Sequence, residues 1–148
     1  MAGQQYTIKP LKSIYKGYEF ASKLEAQWAT FFDLMGIPFD YESQGWEVAT
    51  GVWYTPDFTL ERCYVEIKHL NYDDDDVTEK MGLLVAGIRV PGVIIYGDPY
   101  EHIAVLYEPS YMLECGYVRH VASFLNLYGA VGAAIKARQA RFDREPAQ

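Results

Sequence analysis

The chain has 148 residues, of which half are hydrophobic and 16% are aromatic, and its formal net charge is −7. This composition excludes a disordered tail, and the length suits one domain that buries its own core. The apolar runs are short and broken by glycine or charge, and the polar N-terminus lacks an apolar signal-peptide core. No membrane association is therefore expected, and a cytoplasmic location is the default prediction.

The first predicted helix spans residues 22–35 and follows an irregular start over residues 1–18. Ser22 and Glu25 have the spacing of a capping box, and Gly36 is typical of a position just after a helix. The apolar side chains of this segment recur at the spacing of one helix face, and they are Phe20, Leu24, Trp28, Phe31, Phe32 and Met35.

Runs of strands separated by a helix, with two further helices at the end, are predicted along the rest of the chain. Strands are expected over residues 38–42, 52–60 and 63–69, while residues 46–48 extend or pair with the first, with a turn at Thr50-Gly51. They are followed by a helix over residues 77–88, strands over 92–96 and 102–107, and two helices near 118–128 and 131–142. This order predicts an α/β fold of the mixed α+β kind, a single domain over residues 1–148 in which helices flank a mixed sheet.

The strand over residues 63–69 is predicted to place a carboxylate and an amine on one face. Successive strand residues point to opposite faces, so Glu66 and Lys68 share a face. If residues 61–62 form a hairpin loop, Asp57 lies directly opposite Glu66, with Cβ atoms about 4.5–5.5 Å apart. Two such carboxylates repel each other, and a divalent cation between them would remove that cost. A three-residue loop would break this register.

The residue types at these positions suit metal-dependent phosphodiester chemistry. Asp57, Glu66 and the backbone carbonyl of Ile67 are predicted metal ligands, because Mg²⁺ prefers hard oxygen atoms. Lys68 is predicted to orient the attacking water or to stabilise negative charge in the transition state. The structural alternative is that Asp57 ends a turn while Glu66 and Lys68 pair on a solvated sheet face, since short patterns of this kind recur by chance.

A series of short motifs runs in one order along roughly the first two thirds of the chain. They are Phe20-Ala-Ser-Lys-Leu-Glu-Ala-Gln-Trp28, Phe31-Phe32, Gly36-Ile-Pro38, Tyr41-Glu42, Thr55-Pro-Asp-Phe58, Val65-Glu-Ile-Lys68 and Gly97-Asp-Pro99. Over residues 15–99 this series resembles a group of small phage and bacterial PD-(D/E)xK nucleases.

The resemblance implies a restriction-endonuclease-like core, a mixed sheet of about four to five strands flanked by helices, with residues 100–148 as a C-terminal accessory strand and helices. It implies a Mg²⁺- or Mn²⁺-dependent deoxyribonuclease, expected to be an endonuclease, acting on DNA in a bacterial or phage-infected cell. Such proteins often act as homodimers. Their first helix carries a glutamate that faces the metal site, and by position this is Glu25, whose structural alternative is the capping box.

Other residues are candidates for substrate contacts. Arginines are expected in the first-helix motif, yet this chain has Ala21, Lys23 and Gln27. The predicted nucleic-acid contacts are Lys23, Lys136, Arg138 and Arg141. Glu42 and Gln44 are further candidates for contact with the metal or its waters. Four aromatic residues are candidates either for base stacking or for the core, namely Trp46, Trp53, Tyr54 and Tyr72.

A second function on the same fold is a catalytically inactive phage-type protein that binds DNA or inhibits another protein. The net charge of −7 favours this alternative. The complete set of Glu25, Asp57, Glu66 and Lys68 favours the nuclease, because a retired active site tends to lose a member.

Overall fold

The computed structural model describes residues 13–15, 18–61, 63–71 and 75–122. Among these residues no helix is long and apolar enough to cross a membrane. The elements in chain order are β1 (Ser13–Tyr15), β2 (Tyr18–Phe20), α1 (Lys23–Leu34), β3 (Phe39–Tyr41), β4 (Trp46–Ala49), β5 (Val52–Tyr54), β6 (Phe58–Leu60), β7 (Tyr64–Lys68), α2 (Asp75–Ile88), β8 (Gly92–Gly97), β9 (His102–Pro109) and β10 (Tyr117–Ala122).

A six-stranded mixed sheet with the order β10-β9-β8-β7-β6-β3 forms the centre of the described fold. Strands β7 and β8 are parallel and are connected through α2, whereas the other neighbours in this sheet are antiparallel. Two separate two-stranded sheets are formed by β1 with β2 and by β4 with β5. The predicted mixed sheet with flanking helices is therefore confirmed, with more strands than the four to five expected.

The two helices cover opposite faces of the sheet, because alternate strand residues supply two apolar clusters. One cluster joins α1 to Phe58, Val65, Val93 and Ile95. The other joins α2 to Ile94, Tyr107 and the inner side of the β4–β5 hairpin. Strand β7 is thus buried on both sides, and any polar side chain on it must find partners inside the protein.

Helix α1 begins and ends where the sequence predicts. Ser22 is the N-cap, and its Oγ accepts a hydrogen bond from the Glu25 N–H at 3.1 Å. After the helix, Gly36 has a φ of +69°, a conformation that glycine adopts without strain. Trp28, Phe31 and Phe32 are all 0% exposed, and each contributes roughly 1.5–3 kcal/mol of burial free energy.

The predicted register of the central hairpin is confirmed. Phe58 pairs with Val65 and Thr59 pairs with Tyr64, which is the register that the predicted two-residue loop requires. The Leu60 N–H also donates to the Cys63 carbonyl at 2.8 Å. Asp57 directly precedes Phe58 and Glu66 directly follows Val65, so the two carboxylates lie next to the last pair of this hairpin.

The single strand predicted over residues 52–60 is wrong, because the structure divides it into β5 and β6. Pro56 lies in the break and has no N–H to donate to a strand ladder. The expected pairing of residues 46–48 with residues 38–42 is also wrong. Strand β4 instead pairs with β5, around a turn at the predicted Thr50-Gly51, where Gly51 has a φ of +74°.

Two predictions at the ends of the chain are corrected. The start is not irregular over its described part, because β1 and β2 form a hairpin. The helix predicted from residue 118 is wrong over residues 118–122, where β10 pairs with β9 in register from Tyr117↔Pro109 to Ala122↔Ala104. Pairing along six residues of a preformed strand outweighs a weak helical preference. The rest of that helix and the helix predicted over residues 131–142 lie outside the described residues.

The turn after β8 depends on a glycine, which gives a first prediction. Gly97 has a φ of +110°, and a Cβ there would lie 2.3 Å from the Glu101 carbonyl oxygen. Its own carbonyl accepts the Trp28 indole N–H at 2.8 Å, which ties α1 to the sheet. We expect Gly97→Ala to lower the free energy of unfolding by at least about 2 kcal/mol in urea denaturation.

The matched control is Gly87→Ala, because Gly87 lies in α2 and a Cβ there meets nothing within 4 Å. That variant should gain up to about 1 kcal/mol from helix propensity. Equal stability of the two alanine variants would contradict the role of Gly97.

Candidate metal centre

Three carboxylates from different elements converge at one end of the sheet. Glu25 lies in the first turn of α1, Glu42 follows β3 and Asp57 precedes β6. Antiparallel pairing of β3 with β6 brings the last two together, and the Glu42 N–H donates to the Asp57 carbonyl at 2.9 Å. One carboxylate oxygen from each of the three residues lies within 4.8 Å of the other two.

Glu25 contacts the N-cap residue Ser22 and faces this cluster at the same time. The Ser22 hydroxyl donates to Glu25 Oε2 at 3.2 Å, and the Tyr41 hydroxyl donates to Glu25 Oε1. Tyr41 in turn accepts a hydrogen bond from the Ala21 N–H at 3.0 Å. The two roles that the sequence set against each other are therefore compatible in one side chain.

Next to the cluster, β7 carries a buried carboxylate–ammonium pair. Lys68 Nζ lies 3.3 Å from Glu66 Oε2, and the Tyr54 hydroxyl donates to Glu66 Oε1 at 2.9 Å. Glu66 and Lys68 are only 5% and 8% exposed, so a solvated sheet face is excluded for this pair. Asp57 is also buried, and its Oδ2 accepts the Ile67 N–H at 2.8 Å.

Burial raises the pKa of Glu25, Asp57 and Glu66, and repulsion between neighbouring carboxylates adds to the rise at Glu25 and Asp57. Burial raises the pKa of Glu25 to about 7, and the neighbouring Glu42 and Glu66 add to the rise. Burial raises the pKa of Asp57 well above its usual range, with further contributions from Glu25 and Glu66. Burial raises the pKa of Glu66 too, although the Lys68 ammonium and the Tyr54 hydroxyl offset part of that rise.

The structure brings together most of the residues that the sequence singled out. Asp57 and Glu25 share the three-carboxylate cluster with Glu42, which the sequence offered as a further candidate. Glu66 lies beside Asp57 but outside that group, with both oxygens engaged by Tyr54 and Lys68. The roles of these residues as metal ligands remain predictions.

The remaining predicted site residues either lie outside the three-carboxylate cluster or fall outside the described residues. Lys23 is exposed in the first turn of α1, and Gln44 is exposed with its amide directed to the Gly45 carbonyl. The Ile67 N–H bonds to Asp57, while a role for its carbonyl as a ligand stays a prediction. Three predicted DNA contacts lie outside the described residues, namely Lys136, Arg138 and Arg141.

Sequence reasoning missed the two tyrosines that support the carboxylates. Tyr41 precedes Glu42 on β3, so its contact with Glu25 depends on how α1 packs over the sheet. Tyr54 lies in a separate hairpin, and no spacing rule connects it to Glu66. Burial raises the pKa of both hydroxyls, which keeps them protonated as hydrogen-bond donors.

The chemistry of this donor set fits a hard divalent cation. Carboxylate oxygens are the ligands that Mg²⁺ and Mn²⁺ prefer, and here three of them already face one another. Without a cation, the raised pKa values of Glu25 and Asp57 favour the protonated forms of these two carboxyl groups. A divalent cation would replace those protons and remove the repulsion.

Comparison with known proteins adds no assignment. No protein-family model matches the chain, and no curated protein sequence gives a significant match. The function is therefore argued from the site itself.

Charge repulsion at the site predicts that one conservative substitution stabilises the metal-free protein. Asp57→Asn keeps an acceptor for the Ile67 N–H and removes a buried carboxyl group that must either carry a charge repelled by Glu25 and Glu66 or take up a proton. In EDTA we expect a higher melting temperature for this variant than for the unaltered chain. In Mg²⁺ or Mn²⁺ the variant should gain little further stability, since one ligand charge is lost.

The control for this comparison is Asp40→Asn, because Asp40 is exposed on β3. Its effect on stability should stay within about 0.5 kcal/mol under both conditions. A loss of stability in Asp57→Asn in EDTA would show that the charge supports the fold instead of opposing it.

The raised pKa of Glu25 predicts how the stability of the metal-free protein depends on pH. The folded protein binds more protons than the unfolded chain between the ordinary pKa of 4.5 and the folded value of about 7. The free energy of unfolding should therefore fall as the pH rises across this interval. Thermal melts in EDTA across that range measure the slope, and Glu25→Gln should flatten it. A slope of opposite sign would contradict the assignment.

Proposed function

We propose that the protein is a Mg²⁺- or Mn²⁺-dependent deoxyribonuclease with a restriction-endonuclease-like core. The observation that carries the proposal is the convergence of Glu25, Glu42 and Asp57 directly beside the buried Glu66–Lys68 pair. Glu42 is exposed and Glu25 is half-buried, but Asp57 and Glu66 are buried, and a fold rarely buries carboxylates without a compensating partner. Their cost in stability is understandable if they bind a cation during function.

The carboxylates of Asp57, Glu25 and Glu42 would hold the cation, with Glu66 adjacent. When bound, a divalent cation polarises a phosphate oxygen and lowers the pKa of a coordinated water. Asp57 is held in place by the Ile67 N–H, and Glu25 by Ser22 and Tyr41. The protein thus fixes its oxygen atoms before any substrate arrives, which reduces the reorganisation that catalysis would need.

Lys68 supplies the positive charge of the site. Its ammonium is held by Glu66, which is itself held by the Tyr54 hydroxyl. An amine fixed in this way stabilises negative charge on an attacking water or on a phosphate oxygen in the transition state. Because the pair is buried, the interaction between the ammonium and such an oxygen is stronger than it would be in water.

The topology also supports this assignment. The hairpin of β6 and β7 is followed by α2 and by β8 parallel to β7, while α1 adds Glu25. The ordered motifs that resemble the PD-(D/E)xK nucleases fall on these elements, with Asp57 before β6 and the pair of Glu66 and Lys68 at the end of β7.

The competing function is a catalytically inactive DNA-binding or inhibitor protein on the same fold, and the net charge of −7 favours it. The buried Lys68 favours the nuclease instead. A protein that only binds a partner through its surface gains nothing from an ion pair at 5% and 8% exposure, which costs desolvation.

Cleavage assays test the proposal directly. The full chain is incubated with circular single-stranded DNA, supercoiled plasmid and a four-way junction in Mg²⁺, Mn²⁺ or EDTA. We expect cutting of at least one substrate that depends on the metal and falls at least about 100-fold in Asp57→Asn and in Lys68→Met. Lys68→Met should still show metal-induced stabilisation, because Lys68 is no ligand, and Asp40→Asn should cut normally.

Two results would contradict the nuclease assignment. Cutting that persists in Asp57→Asn or Lys68→Met would exclude those residues from the reaction. Absence of cutting on every substrate, with the protein folded and stabilised by Mn²⁺, would favour the inactive binding protein.

A further inference from the structure

The β4–β5 hairpin presents a tryptophan, Trp53, to solvent four residues before Asp57 of the candidate metal centre. Trp46 pairs with Tyr54, and these two face the protein interior, where both belong to the apolar cluster around α2. Glu47 pairs with Trp53 on the opposite, outward face. Trp53 is 52% exposed, whereas Tyr54 is 6% exposed. The sequence left stacking and core roles open for Trp46, Trp53, Tyr54 and Tyr72; the structure places Trp46 and Tyr54 inward and Trp53 outward, and Tyr72 lies outside the described residues.

The hairpin is fixed relative to the metal centre. Tyr54, the next residue after Trp53, donates its hydroxyl to Glu66 Oε1 at 2.9 Å. Asp57 follows four positions after Trp53, so their Cα atoms lie at most about 14 Å apart. A nucleotide chain that enters the centre could therefore pass over Trp53 within a few nucleotides of the scissile phosphate.

The charge of the protein limits how it binds such a chain. Affinity for duplex DNA comes largely from lysines and arginines that neutralise phosphates. This chain has a net charge of −7, and the hairpin face around Trp53 carries Glu47. The Glu47 carboxylate accepts the Gly51 N–H at 2.8 Å, which fixes it at the turn. An acidic protein therefore gains more affinity for DNA from an uncharged contact than from phosphate contacts. Stacking of a base on an indole ring is such a contact.

We propose that Trp53 is a stacking platform for an unpaired base and that the substrate of the centre is single-stranded DNA. This inference rests on the proposed nuclease function and adds its substrate class. A base inside a duplex has both faces covered by its neighbours, so Trp53 has no free face to stack on there. An unpaired base offers its ring directly, without the cost of unstacking.

Binding without cleavage tests the proposal first. Fluorescently labelled oligo(dT) and a duplex of the same length are titrated with the full chain in EDTA, and anisotropy is recorded. We expect tighter binding of oligo(dT) than of the duplex. Trp53→Ala and Trp53→Leu should weaken oligo(dT) binding roughly 5- to 100-fold, while Trp53→Phe, which keeps a ring, should retain most of the affinity.

The matched control is Tyr111→Ala. Tyr111 is an exposed aromatic residue in the loop between β9 and β10, and it stacks on Arg89 with 3.7 Å from the guanidinium carbon to the ring centroid. This loop joins the end of β9 that lies beside Gly92, whereas Lys68 lies at the opposite end of β7. Tyr111→Ala should therefore bind oligo(dT) normally.

Three results would overturn the stacking role. They are unchanged oligo(dT) binding in Trp53→Ala, equal loss of affinity in Trp53→Leu and Trp53→Phe, and duplex binding that is as tight as oligo(dT) binding in the unaltered chain. A cleavage arm in Mn²⁺ separates this inference from the proposed function. If the unaltered chain cuts DNA but prefers duplex, the substrate class fails while the nuclease stands. If it cuts nothing, the nuclease itself fails whatever the binding shows.

Discussion

Repulsion among closely spaced carboxylates, of which Asp57 and Glu66 are buried, is the constraint around which this end of the protein is built. Glu25, Glu42 and Asp57 face one another, and Glu66 adds its field from the next strand. Burial alone would push such groups toward their neutral forms, and the surroundings counter it with donors aimed at individual oxygens. The Ile67 N–H serves Asp57, while two tyrosine hydroxyls serve Glu25 and Glu66.

Packing in the rest of the fold offsets the unfavourable free energy of placing these carboxylates together. Helix α1 is anchored by fully buried aromatic side chains that pack edge to face, with Trp28 and Phe31 ring centroids 5.2 Å apart and Phe32 and Phe58 centroids 5.3 Å apart. The same packing sets the position of Glu25, because the first turn of α1 moves with the helix. Stability and site geometry thus depend on one contact surface, between α1 and the sheet.

On the opposite face of the sheet from α1, the β4–β5 hairpin contacts the site on its inner side and solvent on its outer side. Its inner side chains complete the cluster around α2, and Tyr54 extends from there to Glu66. Its outer side leaves Trp53 in solvent. A two-stranded hairpin is marginally stable alone, so its anchoring to α2 and to Glu66 is what holds that outer face in place. The inner surface of this one hairpin packs against the protein, while its outer surface is exposed in the part of the chain that the structure describes.

The sequence by itself determined the local elements and the pairing of the central hairpin. The capping residues of α1, the helical spacing of its aromatics and the alternation in β7 each follow from short-range geometry, and the register that places Asp57 beside Glu66 follows from a two-residue loop. Only the tertiary structure decided that residues 117–122 join the sheet as β10 and that Tyr41, Tyr54 and Glu42 meet the site. Those outcomes depend on contacts between residues distant in the chain, and hydrophobic periodicity carries no information about which distant side chains will be neighbours.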